Sequence, residues 1–194
     1  LSRGLFEGLM NFISLAEDSG MIFAIGEWVL RQACQQNKAW LDMGHEPGYV
    51  AVNVSARQFG HPTFEATVTK ILKQTNLPPR FLELEITETM AMEDAEFTLK
   101  VINRFKEMGV RLSIDDFGTG YSSLTYLERF NADVLKIDKF FIKGIPDDKK
   151  VANLTKTIIA MAHQLGLKVL AEGVETDDQR TFLDRYKCDY AQGY

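Results

Sequence analysis

The feature that most constrains this chain is a repeating unit. Short aliphatic strands are each followed by a helix with an apolar stripe, and the unit recurs from about Tyr49 to the end. Strands are expected at Tyr49–Ser55, Phe81–Thr87, Val110–Asp116, Val134–Asp138, Lys168–Val174 and Asp189–Gly193. The helices between them are read from 3.6-residue periodicity: Pro62–Thr75, Met92–Met108, a short one over Ser122–Arg129, one opened by Asp147-Asp148, and one opened by a Thr176/Gln179 capping box. Ahead of them the pattern predicts a short helix over Asn11–Asp18 and a longer one from Gly26 to Met43, with Gly44 as its cap. Strand-then-helix repetition implies an α/β fold with a parallel sheet and helices outside it. Right-handed crossovers then leave two architectures, an open doubly wound sheet or a closed barrel.

Polar residues within the strands discriminate between the two. Asn53, Glu85, Asp115, Lys136 and Glu172 each come late in their own strand, one strand–helix unit apart. In an open sheet a site gathers at one switch point, whereas a (β/α)₈ barrel collects residues from many strands at its C-terminal mouth. Convergence from five strands favours the TIM-like barrel. Glu83 shares a face with Glu85 and is read as part of a polar barrel layer.

The densest chemistry is in Val110–Tyr121, where a strand runs into Asp115-Asp116 and then Phe117-Gly118-Thr119-Gly120. Adjacent carboxylates repel, and a hard divalent cation with oxygen ligands holds both charged. Neighbours on a strand point to opposite faces, so both aspartates reach one site only if the chain bends there. The glycine turn is expected to supply that bend. An amide and several carboxylates make a hard-cation donor set, and two ions ~3.5–4 Å apart would suit the aspartate pair. Lys136 in such an acidic mouth would keep its charge and orient water or neutralise an oxyanion. No Ser/His/Asp set presents itself, and His45, His61 and His163 read as structural or solvated.

With 194 residues the chain is read as a single domain, 1–194, large enough for a sizeable core. A net charge of −5 argues against a nucleic-acid polymer as partner. No run reaches the ~18 apolar residues of a membrane span. Cys34 and Cys188 suit a reducing compartment and sit in no metal-type cluster. Leu1 is not an initiator, so the chain reads as a piece of a longer polypeptide.

The segments FISLAEDSG, IGEWVL, VAVNVSARQF, LELEITET, SIDDFGTGYSSL, LKIDKFFI, VLAEGVET and AQGY together resemble the EAL domain, the cyclic-di-GMP phosphodiesterase of bacterial signalling. The resemblance implies a (β/α)₈ barrel that hydrolyses cyclic di-GMP to linear pGpG with Mg²⁺ or Mn²⁺. By position, Asn53, Glu85, Asp115 and Asp116 match its metal ligands. Glu172 matches a further essential carboxylate, assigned to the metal site or to base chemistry. Lys136 matches the lysine that holds the attacking water, Gln192 a glutamine near water and phosphate, and Glu88 the glutamate that anchors the glycine loop. Glu175 has its counterpart too, and Arg57 and Gln58 fall where the family approaches the nucleotide. Two departures stand out. The signature Glu-Ala-Leu, whose glutamate is itself a ligand, is expected just before Leu1, together with the first strand. The closing segment after AQGY is expected beyond the chain's end. The resemblance also implies a cytoplasmic domain with sensory or cyclase-like neighbours, tethered in some members to a membrane protein, and a homodimer contact after Asp116. An inactive relative that binds cyclic di-GMP and relays a signal is the alternative. An unrelated metal-dependent barrel enzyme is a weaker third reading.

Overall fold

A computed structural model describes residues 12–45, 48–120 and 124–194. The chain forms two compact units, Leu1–Leu84 and Glu85–Tyr194. Strands and helices alternate through both.

In the first unit, residues 12–19 are helical and Gly20 breaks the chain at φ 76°. Helix α1 then spans Met21–Asp42, five residues earlier than expected. Gly26 therefore lies inside the helix and does not start it. Its missing side chain makes room for Gln58, whose Nε2 would collide with a Cβ at that position. The sequence pattern suggests an apolar stripe of Val29, Leu30, Ala33, Cys34, Trp40 and Leu41 on α1, and the buried one is narrower. Leu30, Cys34 and Asn37 are buried, whereas Trp40 is exposed. Asn37 belongs to that face because its amide is satisfied there, donating to the carbonyls of Gly48 and Phe81. Gly44 (φ 79°) ends the helix as expected. Strand β1, Val50–Asn53, leads through the Ser55/Gln58 capping box into the four-residue helix α2, Ala56–Phe59. Helix α3, Phe64–Thr75, buries Phe64, Val68, Ile71 and Leu72, the stripe read from the sequence. A 3₁₀ turn at Pro79–Phe81 leads into β2, Leu82–Thr87. Leu82, Leu84 and Ile86 are fully buried on one side of it.

In the second unit α4, Glu88–Glu93, precedes α5, Ala95–Met108, and Asp94 separates them by capping Phe97 N. The sequence pattern, with a helix from Met92 to Met108, predicts α5 and misses most of α4. Next come β3 (Arg111–Phe117), α6 (Leu124–Arg129), β4 (Val134–Ile137), α7 (Lys139–Lys143), α8 (Lys149–Gln164), β5 (Lys168–Val174), α9 (Asp177–Arg185) and β6 (Tyr190–Gly193). Strands β3 to β6 pair in parallel, in chain order. Of the expected stripe of α8, Val151, Leu154, Ile158, Ala162 and Leu165, only Ala162 is buried; the rest of the buried side, Ala152, Thr155 and Ile159, lies one residue round from Val151, Leu154 and Ile158. Leu154 faces solvent because Thr155 bonds back to the carbonyls of Val151 and Phe141, which admits a polar residue to the packed side.

One device recurs at the N-terminal edge of this sheet. Asp133, just before β4, accepts from Leu112 N of β3 (2.8 Å) and from Lys106 Nζ in the last turn of α5 (2.7 Å). Asp189, just before β6, accepts from Val169 N of β5 (2.9 Å) and contacts His163 in the last turn of α8 (2.8 Å). Lys168 Nζ adds a third donor at 2.6 Å. In both places a carboxylate preceding one strand fastens the start of the previous strand and the end of the helix before it.

Candidate active site

At the opposite ends of the same strands, acidic side chains surround one lysine. Lys136 is the third of four residues in β4 and is 4 % exposed. Its ammonium lies 3.0 Å from Glu85 Oε1 of β2, 3.0 Å from Asp115 Oδ2 of β3 and 2.8 Å from Glu172 Oε1 of β5. Alternation on each strand explains the arrangement. Leu135 and Ile137 are buried on one face of β4 and Lys136 lies on the other, as Ile114 and Asp115 do on β3. Burial alone would pull the lysine down. The Glu172 hydrogen bond and the charges of Asp115 and Glu85 outweigh it and hold the ammonium above the ordinary lysine range.

Asp116 joins this group by a backbone irregularity. Ile114 pairs with Leu135 and Phe117 with Ile137, so three steps on β3 match two on β4. This is a bulge, and it breaks the period-2 alternation. Asp116 itself takes φ 54°, a conformation aspartate tolerates better than most residues. The bend expected at Phe117–Gly120 thus begins one residue earlier, on the second aspartate, and continues through Gly118 at φ 97°. Oxygen atoms of Asp115, Asp116 and Glu172 come within 4.8 Å of one another. Burial, then the neighbouring charges of Asp115 and Asp138, raise the Asp116 carboxyl above its ordinary range. Clustered carboxylate oxygens are the donor set a hard divalent cation takes. The residues present fit a hard divalent cation.

The other sequence-expected residues fall as follows. Glu88, buried at the first position of α4, accepts from Gly118 N at 2.7 Å and so holds the turn after the aspartates. Gln192 is the register partner of Glu172 on β6 and is exposed. Glu175 is exposed just past β5, with Asp138, Lys139, Phe140, Lys143, Gly173 and Gln179 around a cavity of about 380 Å³. Helix α7, which the sequence reading missed, builds that cavity. Its signal was Asp138, whose carboxylate caps Phe140 N, so Asp138 starts a helix where a strand end was expected. Phe140 is 69 % exposed there.

In the first unit, Asn53 is the last residue of β1 and its side chain is exposed. Arg57 is committed to the end of the 12–19 helix, donating to Glu17 O (2.7 Å) and Asp18 Oδ1 (3.2 Å). Gln58 is 5 % exposed and its Oε1 accepts from Ser55 N. Cys34 is buried, and burial pushes its thiol up to about 11.

The chain belongs to the EAL domain family: residues 3–194 match the model of that domain. EAL domains are α/β TIM-like barrels. The chain is 48% identical over 184 residues to the bifunctional diguanylate cyclase/cyclic di-GMP phosphodiesterase MucR of Pseudomonas aeruginosa, covering 95% of this chain and 27% of that protein. It is 47% identical over 193 residues to the cyclic di-GMP phosphodiesterase NbdA of the same organism, covering 100% of this chain and 24% of the relative. The chain thus spans about a quarter of the length of these curated relatives. A solved MucR phosphodiesterase in complex with c-di-GMP superposes with a TM-score of 0.91 at 48% identity, over 94% of this chain and 74% of that one. The EAL domain of Mycobacterium smegmatis DcpA superposes with a TM-score of 0.81 at 37% identity, over 87% and 76% of the two chains. No helix among the described residues is long and apolar enough to cross a membrane.

Proposed function

We propose that this chain is the catalytic part of a metal-dependent phosphodiesterase that hydrolyses cyclic di-GMP to linear pGpG. The observation that carries the reading is the filled acidic constellation: Glu85, Asp115 and Glu172 on Lys136, with Asp116 folded in beside them by the bulge. Asn53, Glu85, Asp115, Asp116 and Glu172 are the proposed ligands of Mg²⁺ or Mn²⁺, two ions being the count that paired aspartates suit. The ions, when bound, polarise the scissile phosphate and acidify a water.

The chain's own groups do the rest. Lys136, a fixed ammonium among carboxylates, orients the attacking water and offsets charge on the phosphate oxygens. Glu172 has one carboxylate oxygen on Lys136. The same carboxylate is the proposed acceptor of that water's proton as the new P–O bond forms; the bond to the 3′ oxygen breaks and that oxygen leaves as the hydroxyl, taking a proton from solvent. Gln192, the register neighbour of Glu172, is the proposed amide contact to water and phosphate. Glu88 holds the glycine turn so that Asp116 keeps its orientation. The cavity bordered by Phe140, Lys143 and Glu175 offers an aromatic face for a purine and charge for recognition of the substrate. Arg57 and Gln58 are proposed on the nucleotide-approach side by family position alone. Their side chains are already engaged with Asp18 and Ser55, which argues for a supporting role.

The neighbours proposed for the full-length protein are sensory or cyclase-like domains, with a homodimer contact after Asp116 and a cytoplasmic setting. The test is hydrolysis of cyclic di-GMP by the natural-length domain, with Mn²⁺ and with chelator. Metal-dependent appearance of the linear dinucleotide supports the enzyme. Tight binding with no product would overturn it in favour of a receptor.

A further inference from the structure

Lys136 contacts the same carboxylates that a divalent cation needs. Asp115 has no idle oxygen: Oδ1 accepts from the Asp116 amide at 2.9 Å and Oδ2 from Lys136 at 3.0 Å. Glu172 gives Oε1 to the lysine at 2.8 Å while also belonging to the cluster with Asp115 and Asp116. Glu85 and Asp115 are both about nine-tenths buried, so their charges are poorly screened by water. Three such carboxylates around an apolar strand end repel one another and would swing apart if no cation stood between them.

We infer that Lys136 is the resident cation of the metal-free site. It holds Glu85, Asp115 and Glu172 in place before a divalent ion arrives, and it opposes that ion once bound. The inference rests on the phosphodiesterase reading for its metal, and on the ion-pair geometry for everything else.

The coupling has a definite sign. In the metal-free state the lysine gains from three carboxylates. In the loaded state the same carboxylates are shared with a dication that repels the ammonium. Removing the lysine therefore destabilises the empty state more than the loaded one, and by reciprocity the ion must bind the variant more tightly. A residue whose only role is to position water has no such effect on the empty protein.

Thermal unfolding of the natural-length domain, in chelator and across a Mn²⁺ titration without nucleotide, reads this directly. Lys136→Met is expected to lower the melting temperature in chelator and to show a larger Mn²⁺-induced rise than the unaltered protein, with a tighter apparent Mn²⁺ constant by about tenfold, as loss of one nearby charge implies. Lys136→Arg should retain the unaltered behaviour. Lys168→Met, which removes an exposed lysine paired to Asp189, should leave the Mn²⁺ response unchanged and so controls for net charge. A Mn²⁺ response in Lys136→Met equal to or smaller than that of the unaltered protein overturns the inference while leaving the phosphodiesterase reading intact. Should the unaltered protein show no Mn²⁺ response at all, the metal site and this inference both fall.

Discussion

The backbone amide of Gly118 donates to Glu88 Oε2 at 2.7 Å, so the turn that follows the paired aspartates hangs from the first residue of α4. Hydrogen bonds to a charged acceptor contribute about 1.5–3 kcal/mol, and a buried partner left without one is costly. Glu88→Ala is expected to speed amide hydrogen exchange at Gly118 and to lower metal-dependent hydrolysis by about tenfold or more, as loss of ligand support does. Glu88→Gln, which keeps an acceptor, should fall between. Unchanged exchange at Gly118 in Glu88→Ala would show that the turn is held by something else.

Gly118 carries a second constraint. At φ 97° it sits in backbone space that other residues avoid, and a Cβ there would run into the ring of Phe141. Gly118→Ala should therefore cost about 1–3 kcal/mol of stability, measured by denaturant unfolding. A variant as stable as the parent would mean the turn can relax away from Phe141.

Gly26 makes a coupled case. Replacing a mid-helix glycine by alanine ordinarily stabilises by ~1 kcal/mol. Here the new methyl group would displace Gln58 from its capping box with Ser55. Gly26→Ala is expected to destabilise, and Gln58→Ala in the same chain to restore part of the loss. Additive effects in that double-mutant cycle would show no contact between the two positions.

The Asp189 clamp has a pH signature. Burial pushes its carboxyl up, but hydrogen bonds from Lys168, His163 and Val169 outweigh that and hold it below the ordinary aspartate range. A depressed carboxyl contributes stability that is present above its unfolded pKa and is lost as pH falls through its folded one. Asp189→Asn should thus lose about 1–3 kcal/mol near neutral pH. The gap to the unaltered protein should close in acid, below the ordinary aspartate range. A gap that is constant with pH would assign the effect to packing alone.

Glu85→Ala or Asp115→Ala should abolish Mn²⁺-dependent hydrolysis. Since each also removes a partner of Lys136, loss of activity must be read beside the Mn²⁺ melting response, which reports on the site without substrate.

What the sequence made legible follows from periodicity. The stripe of α3 and the span of β5 were read correctly because an alternating or 3.6-period pattern has one solution there. It had two in α8, where Leu154 and Thr155 both fit a stripe and only packing against the rest of the unit selects the threonine. Gly26 reads as a helix boundary in the sequence, because a glycine's reason for being small lies 32 positions away, at Gln58. The line of polar residues late in the strands points to Asn53, Glu85, Asp115, Lys136 and Glu172, and the last four meet in the second unit. That Asp116 reaches the same place required a bulge, which is set by the pairing between β3 and β4 and leaves no trace in β3 alone. The aspartate pair before β4 and β6 was legible in principle, as the same residue at equivalent positions two strands apart.

Those two aspartates divide the labour of the molecule. Asp133 and Asp189 lash strands to helices at one end of the sheet, each carboxylate taking a strand's backbone amide and a side chain from the last turn of a helix. The other end carries the acidic cluster, the bulge and the exposed ring of Phe140, all of which are costly to keep in register. Because the lashing is remote from the chemistry, the mouth is free to be rewritten. Loops there can lengthen, trade residues or lose a ligand while the foundation stays fastened, and an EAL domain built this way has room to drift from cutting a nucleotide to merely holding one without first coming apart.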